Sequence, residues 1–139
     1  AFSRSLAYSG WKRSLYPADW FDSSPERAVA NIVDDSEDVT CWVRLQTGEL
    51  PILWRSDGRE YNADLIVADK DGTRWVVEVK SDKDMDSADV QGKRTAALKW
   101  TNYVNSSDAV DATWRYILVG ETDITQSKHS WSALRKLGS

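Results

Sequence analysis

Tyr61-Asn62-Ala63-Asp64-Leu65-Ile66-Val67, a five-residue connection, then Arg74-Trp75-Val76-Val77-Glu78-Val79-Lys80 decide how this chain folds. Both runs are apolar and rich in β-branched residues, so each reads as a strand, with a turn over Asp69-Lys70-Asp71-Gly72-Thr73 between them. Three ionisable residues, Asp64, Glu78 and Lys80, interrupt these strands where a buried sheet would carry none. A charge in such a place costs on the order of several kcal/mol unless a partner or a metal compensates it. The hairpin is therefore a candidate active site.

Its register decides whether the charges meet. A two-residue Asp71-Gly72 turn would pair Asp64 with Val79 and send Glu78 to the opposite face. A three-residue loop, with Gly72 in the left-handed position of a bulge, pairs Asp69 with Thr73 instead. Counting back then sets Ile66 opposite Val76 and Asp64 opposite Glu78, with Lys80 on the same face. Opposed Cβ atoms lie roughly 5 Å apart, and like charges there repel. That register makes sense with a cation between the carboxylates, and it accounts for all three charges at once.

Working outward, Ser23-Ser24-Pro25-Glu26 is a helix start, and Ala28, Val29, Ile32 and Val33 give the helix 25–33 its apolar side. Val39 to Leu45 alternates as a strand, Pro51 to Arg55 reads as another, and Ser56-Asp57-Gly58 as the turn that follows. Beyond Lys80 a polar loop runs from Ser81 to Ser87, and a helix is predicted over 88–105, with Val90, Ala97, Trp100 and Val104 at helical spacing. A buried strand follows over 114–120, then a short amphipathic helix over 127–137. The order is α-β-β-β-β-α-β-α. Residues 1–22, with Phe2, Tyr8, Trp11, Trp20 and Phe21 at no clean period, read as a wrapping segment with room for one helical turn ahead of a domain over 23–139.

The 139 residues suffice for a single core, and no apolar run approaches the ~20 residues of a membrane span. The N-terminus shows no charged-then-apolar signal-peptide pattern, and the single Cys41 allows no internal disulfide, which fits a reducing cytoplasm. The first residue is Ala, not Met, as in a fragment of something longer or a processed start. A formal charge of −4 argues against a generically basic nucleic-acid binder, although active-site carboxylates contribute to it.

Asp64, then Glu78-Val79-Lys80 on an adjacent strand, after a helix bearing Glu26, resembles the PD-(D/E)xK nuclease superfamily. In detail the chain is most similar to the C-terminal endonuclease domain of type III restriction (Res) subunits. The residues that carry this likeness are Phe21 to Glu26, Trp42-Val43-Arg44-Leu45, Tyr61 to Val67 and Val77 to Ser81. Ala63 departs from the pattern, standing where the motif usually has proline. The resemblance implies a restriction-endonuclease-like three-layer α/β fold, with a central mixed sheet flanked by helices. It implies that Asp64, Glu78 and the Val79 carbonyl bind Mg²⁺ or Mn²⁺, that Lys80 orients or deprotonates the attacking water, and that Glu26 supports the metal site or binds a second ion. DNA would be the substrate, and a helicase or ATPase motor, absent from this chain, would belong to a larger parent or complex. Independently, oxygen ligands without His or Cys suit Mg²⁺ or Mn²⁺ and not zinc.

Each further residue carries two readings. Glu26 either closes a capping box with Ser23 or serves the site. Lys93, on the apolar stripe of the long helix, either snorkels or reaches a phosphate near Lys80, and Gln91 offers a weaker contact of the same kind. Lys83, Arg94 and Lys99 read as solvated surface, His129 as a surface or helix-start residue, and Cys41 as core. The function expected is a metal-dependent endonuclease of a restriction or related defence protein. The alternative is a nuclease-like module that binds nucleic acid or protein without cutting.

Overall fold

Strands whose side chains alternate between two apolar faces build a four-stranded mixed sheet with helices on both sides. The computed structural model describes residues 1–46, 48–53 and 60–139. In chain order the elements are β1 (Tyr8–Ser9), β2 (Ala18–Asp19), α1 (Ser24–Asp35), β3 (Val39–Arg44), β4 (Pro51–Leu53), β5 (Glu60–Asn62), β6 (Leu65–Asp69) and β7 (Thr73–Val79). A 3₁₀ turn (Asp82–Asp84) leads to α2 (Ala88–Asn105), β8 (Thr113–Val119), α3 (Glu121–Gln126) and α4 (Trp131–Leu137). The strand end Trp54-Arg55 and the turn Ser56-Asp57-Gly58 expected from sequence lie outside the described residues.

The sheet order is β3-β6-β7-β8. β3, β6 and β7 run antiparallel in succession, and β8 returns parallel to β7 through the α2 crossover. Ile66 pairs with Val76 as the three-residue loop requires. Gly72 occupies the left-handed region (φ 92°), and its N–H donates to the Asp69 carbonyl at 3.1 Å.

One face of the sheet packs Leu65, Val67, Val77, Val79, Ile117 and Val119 against α1 and α4. The other packs Val76, Tyr116 and Leu118 against α2, with Ile52 of β4 and Tyr61 of β5 joining that layer. Three layers result, α/β/α. Residues 1–22 lie over the α1 side, where Phe2, Tyr8 and Trp11 pack on Phe21 and Trp42. Asp34 holds the segment by accepting the Lys12 and Arg13 amides (3.0 and 2.8 Å) together with the Trp42 indole N–H (3.0 Å). Among residues 1–22 the regular structure is the short β1–β2 ribbon, in place of a helical turn. Among the described residues no helix is long and apolar enough to cross a membrane.

Three sequence expectations need correction. The run 61–67 is two strands: β5 pairs with β4, and the chain breaks at Ala63-Asp64 before β6 pairs with β3 and β7. The helix expected over 127–137 starts later, because Lys128 and His129 both have positive φ (51° and 63°) and Ser130 supplies the cap. The helix α3 was not expected at all; Asp123 caps it by accepting the Gly120 amide at 2.9 Å.

Candidate active site

The break at Ala63-Asp64 is what builds the site. The β6–β7 ladder ends at Leu65 and Val77. One residue earlier the Asp64 amide donates to the Val77 carbonyl (3.1 Å), and the Asp64 carbonyl accepts from the Leu45 amide (2.9 Å). Its backbone is thus gripped from both neighbouring strands, out of step with the regular ladder. The side chain turns along β7, where Oδ2 accepts the Val79 N–H at 2.7 Å. The direct ladder pairing of Asp64 with Glu78 expected from the register is therefore replaced by this bond.

Glu78 stands on the α2 face of β7 at 2 % exposure, in the layer of Val76, Tyr116 and Leu118. Its Oε1 lies 3.3 Å from the Lys80 Nζ, while its buried Oε2 has no hydrogen-bond partner among the described residues. Glu26 enters from the first turn of α1, at 3 % exposure. The Ser23 Oγ accepts the Glu26 amide and donates to its carboxylate, both at 3.3 Å, and Arg44 Nη2 approaches the same carboxylate at 3.4 Å. The Glu26 carboxylate thus serves the cap through the serine hydroxyl and still faces Asp64 closely enough to perturb it. The reciprocal half of the capping box expected from sequence, the Glu26 carboxylate accepting the Ser23 amide, is replaced by the bond from the Ser23 hydroxyl.

The electrostatics follow from crowding. Burial pushes the Asp64 carboxyl well above its ordinary value, and the Glu78 and Glu26 carboxylates push it further. Burial raises Glu78 as well, against the pull of Lys80 and Lys93. For Lys80, burial alone would lower the pKa, but Glu78, Asp64 and Glu26 together outweigh it and raise it. Lys80 is therefore held as an ammonium. The neighbouring phenols of Tyr61 and Tyr116 are pushed up, by burial first and by Glu78 next.

Two hollows meet at Asp64 and Lys80. One, of about 350 Å³, is walled by Asp22, Glu26, Asp64, Asp84, Glu121 and Lys80. The other, of about 270 Å³, is walled by Asp22, Arg44, Asn62, Asp64, Glu78, Lys80 and Lys93. Lys93 thus comes to the site: its backbone carbonyl accepts the Tyr61 hydroxyl at 3.0 Å, and its Nζ lies 5.7 Å from the Tyr61 ring centre. Gln91 does not; it is exposed and donates to the Met85 carbonyl at 2.7 Å. Val79 lines the first hollow. His129 sits apart, bonded to Asp35 at 2.7 Å, and Cys41 is half-buried on β3. Lys83 and Lys99 are exposed, while Arg94 is half-buried and donates to the Ser139 carbonyl at 3.3 Å.

Among the described residues no three acidic, His or Cys side chains cluster closely enough to enclose a metal ion by themselves. The donors present still fit a hard divalent cation. They are all oxygen, they include the unpartnered Oε2 of Glu78, and Mg²⁺ ordinarily takes one or two carboxylates and fills its shell with water and phosphate.

No known protein family, curated protein or solved structure matches the chain.

Reading the sequence missed Arg44, Asp22, Asp84 and Glu121 as residues of the cleft. Arg44 carried a signal: it lies two residues beyond Trp42 on one strand, hence on the same inward face. The other three come from loops and element starts, where no periodicity points.

Proposed function

We propose that this chain is a metal-dependent nuclease domain of the PD-(D/E)xK type that hydrolyses DNA phosphodiester bonds, as the cleavage module of a type III restriction or related helicase–nuclease defence protein. The observation that carries the reading is the convergence of Asp64, Glu78 and Lys80 at adjoining ends of β6 and β7, with Glu26 closing in from α1 and Glu78 Oε2 left without a partner. The order helix, three antiparallel strands, crossover helix, parallel strand supports the restriction-endonuclease-like fold.

Asp64 and Glu78, with the Val79 carbonyl, would hold Mg²⁺ or Mn²⁺, which when bound supplies Lewis acidity and an activated water. Lys80, kept protonated by its three carboxylates, donates hydrogen bonds and positive charge to the phosphate oxygens as charge builds on them. Its charge state favours that role over abstracting a proton. Glu26 sets the charge felt by Asp64.

One observation favours a second reading, a nuclease-like module that binds without cutting: Asp64 Oδ2 is already engaged by the Val79 amide. Supercoiled plasmid incubated with Mg²⁺ or Mn²⁺ separates the two. Nicking by the wild type that falls at least ~100-fold in Glu78→Ala and Lys80→Ala supports the enzyme. Binding with no nicking at either metal supports the module, and equal cutting by the variants removes these residues from the chemistry.

A further inference from the structure

The two hollows differ in kind. The first gathers five carboxylates against Lys80 alone, while the second brings Arg44, Lys80 and Lys93 to one wall set beside Asp22, Asp64 and Glu78. Arg44 ends β3 opposite Leu65, the residue after Asp64, and its side chain is only 12 % exposed. Nη1 donates to the Leu45 carbonyl at 2.8 Å, and Nη2 reaches Asp22 at 3.0 Å and Glu26 at 3.4 Å. Nε is buried with no partner among the described residues. Asp22 is 69 % exposed, so that contact lies at the solvent edge, where ion pairs contribute little and exchange easily.

We infer that the second hollow is an oxyanion subsite, in which Arg44, Lys80 and Lys93 together seat a phosphate group. A guanidinium offers a planar fork to two phosphate oxygens, and two ammonium groups add point charge without demanding geometry. Arg44 reaches the phosphate by giving up the exposed Asp22, while Nη1 stays anchored on Leu45. The subsite borders Asp64 and Lys80, so its phosphate belongs to the strand being cleaved or to the next nucleotide along it. This assignment rests on the nuclease reading for the source of the phosphate, not for the subsite itself.

The test uses a fluorescein-labelled DNA duplex in EDTA, where no cleavage occurs, and inorganic phosphate as a separate probe. Arg44→Gln and Lys93→Gln should each weaken duplex binding about tenfold. Each should also flatten the dependence of log K on log salt by about 0.9, the signature of one lost phosphate contact. A role confined to propping up Glu26 would leave that slope unchanged. Arg44→Lys should keep the slope and recover part of the affinity, and Lys99→Gln on the exposed side of α2 should change neither. Melting curves report whether Arg44→Gln folds; if it does not, Arg44→Lys and Lys93→Gln decide. Inorganic phosphate should raise the melting temperature of the wild type and not of Lys93→Gln. Stabilisation by phosphate without DNA binding would keep the subsite and overturn the nuclease reading. DNA binding with wild-type slope in both glutamine variants would overturn the subsite, and so would failure of both probes.

Discussion

Replacing Asp64 by Asn should abolish activity and yet stabilise the protein. In the absence of divalent ions Asp64 is crowded by Glu78 and Glu26, and burial and their charge both push its carboxyl upward. Two charges roughly 5 Å apart at an effective dielectric of about 20 repel by about 3 kcal/mol. Lys80 and Lys93 draw on Glu78 from the other side, offsetting part of that. Asn retains an oxygen for the Val79 amide, so the bond at 2.7 Å survives. A net gain of about 1–2 kcal/mol follows, a rise in melting temperature of roughly 3–8 °C for a domain of this size. The pH dependence sharpens the test. A carboxyl whose folded pKa exceeds its unfolded value binds protons more readily when folded. Its contribution is complete below the ordinary carboxylate range, about pH 4, and is lost as pH rises through the folded value. Asn does not titrate, so the advantage of Asp64→Asn should be absent near pH 4 and grow toward pH 8. The assay is thermal melting followed by circular dichroism in EDTA at pH 4, 6 and 8. A variant no more stable than wild type at pH 8, or equally advantaged at every pH, would refute the electrostatic account.

Other expectations follow from single contacts. Mg²⁺ at about 100 times its dissociation constant should stabilise the wild type by about 2.7 kcal/mol, reversibly with EDTA, and a melting shift of equal size in Asp64→Ala would place the ion elsewhere. Asp69 is buried under three donors, the Trp75 and Trp131 indoles (3.0 and 2.8 Å) and the Arg135 guanidinium (2.6 Å). Asp69→Ala leaves all three unpaired and should cost about 3–5 kcal/mol by urea unfolding, with a changed near-ultraviolet dichroism from the Trp75–Trp131 edge contact at 6.0 Å; a loss below about 1 kcal/mol would contradict this. Ser23→Ala should cost about 1 kcal/mol of stability with most activity retained, whereas Glu26→Gln should reduce activity with little loss of stability. The opposite pattern would make Glu26 a cap and nothing more.

The part of the site legible in the sequence was the part fixed by period two. Gly72 forces a three-residue loop, the loop sets the pairing of Ile66 with Val76, and the parity of β7 then puts Glu78 and Lys80 on one face. The break at Ala63-Asp64 was not legible, because Tyr61 to Val67 keeps an apolar strand pattern while its backbone changes partners from β4 to β3 and β7. Which strand an amide pairs with is a tertiary choice that local composition does not encode. The missed helix α3 has a different cause. Six residues with no buried side chain show no apolar period, and only the acidic cap at Asp123 marks their start. Gln91 and Lys93 lie two residues apart on α2, about 200° around the helix, so only one of them could face the sheet. Lys93 does.

The net charge of −4 weighed against a polyanionic substrate when averaged over the chain. Its distribution matters more than that average. Asp22, Glu26, Asp64, Asp84 and Glu121 line one hollow with Lys80 as its one cation, while the other sets Arg44, Lys80 and Lys93 beside Asp22, Asp64 and Glu78. The Debye length at physiological salt is about 8 Å, so a phosphate in the second hollow responds to its immediate walls far more than to the distant surface. Burial pushes two of the carboxylates beside it, Asp64 and Glu78, toward the neutral form, which favours the cations there. A divalent ion held by Asp64 and Glu78 would add positive charge beside that phosphate. Metal and phosphate should therefore bind with positive linkage, each tightening the other, because each relieves the charge that opposes the other's entry.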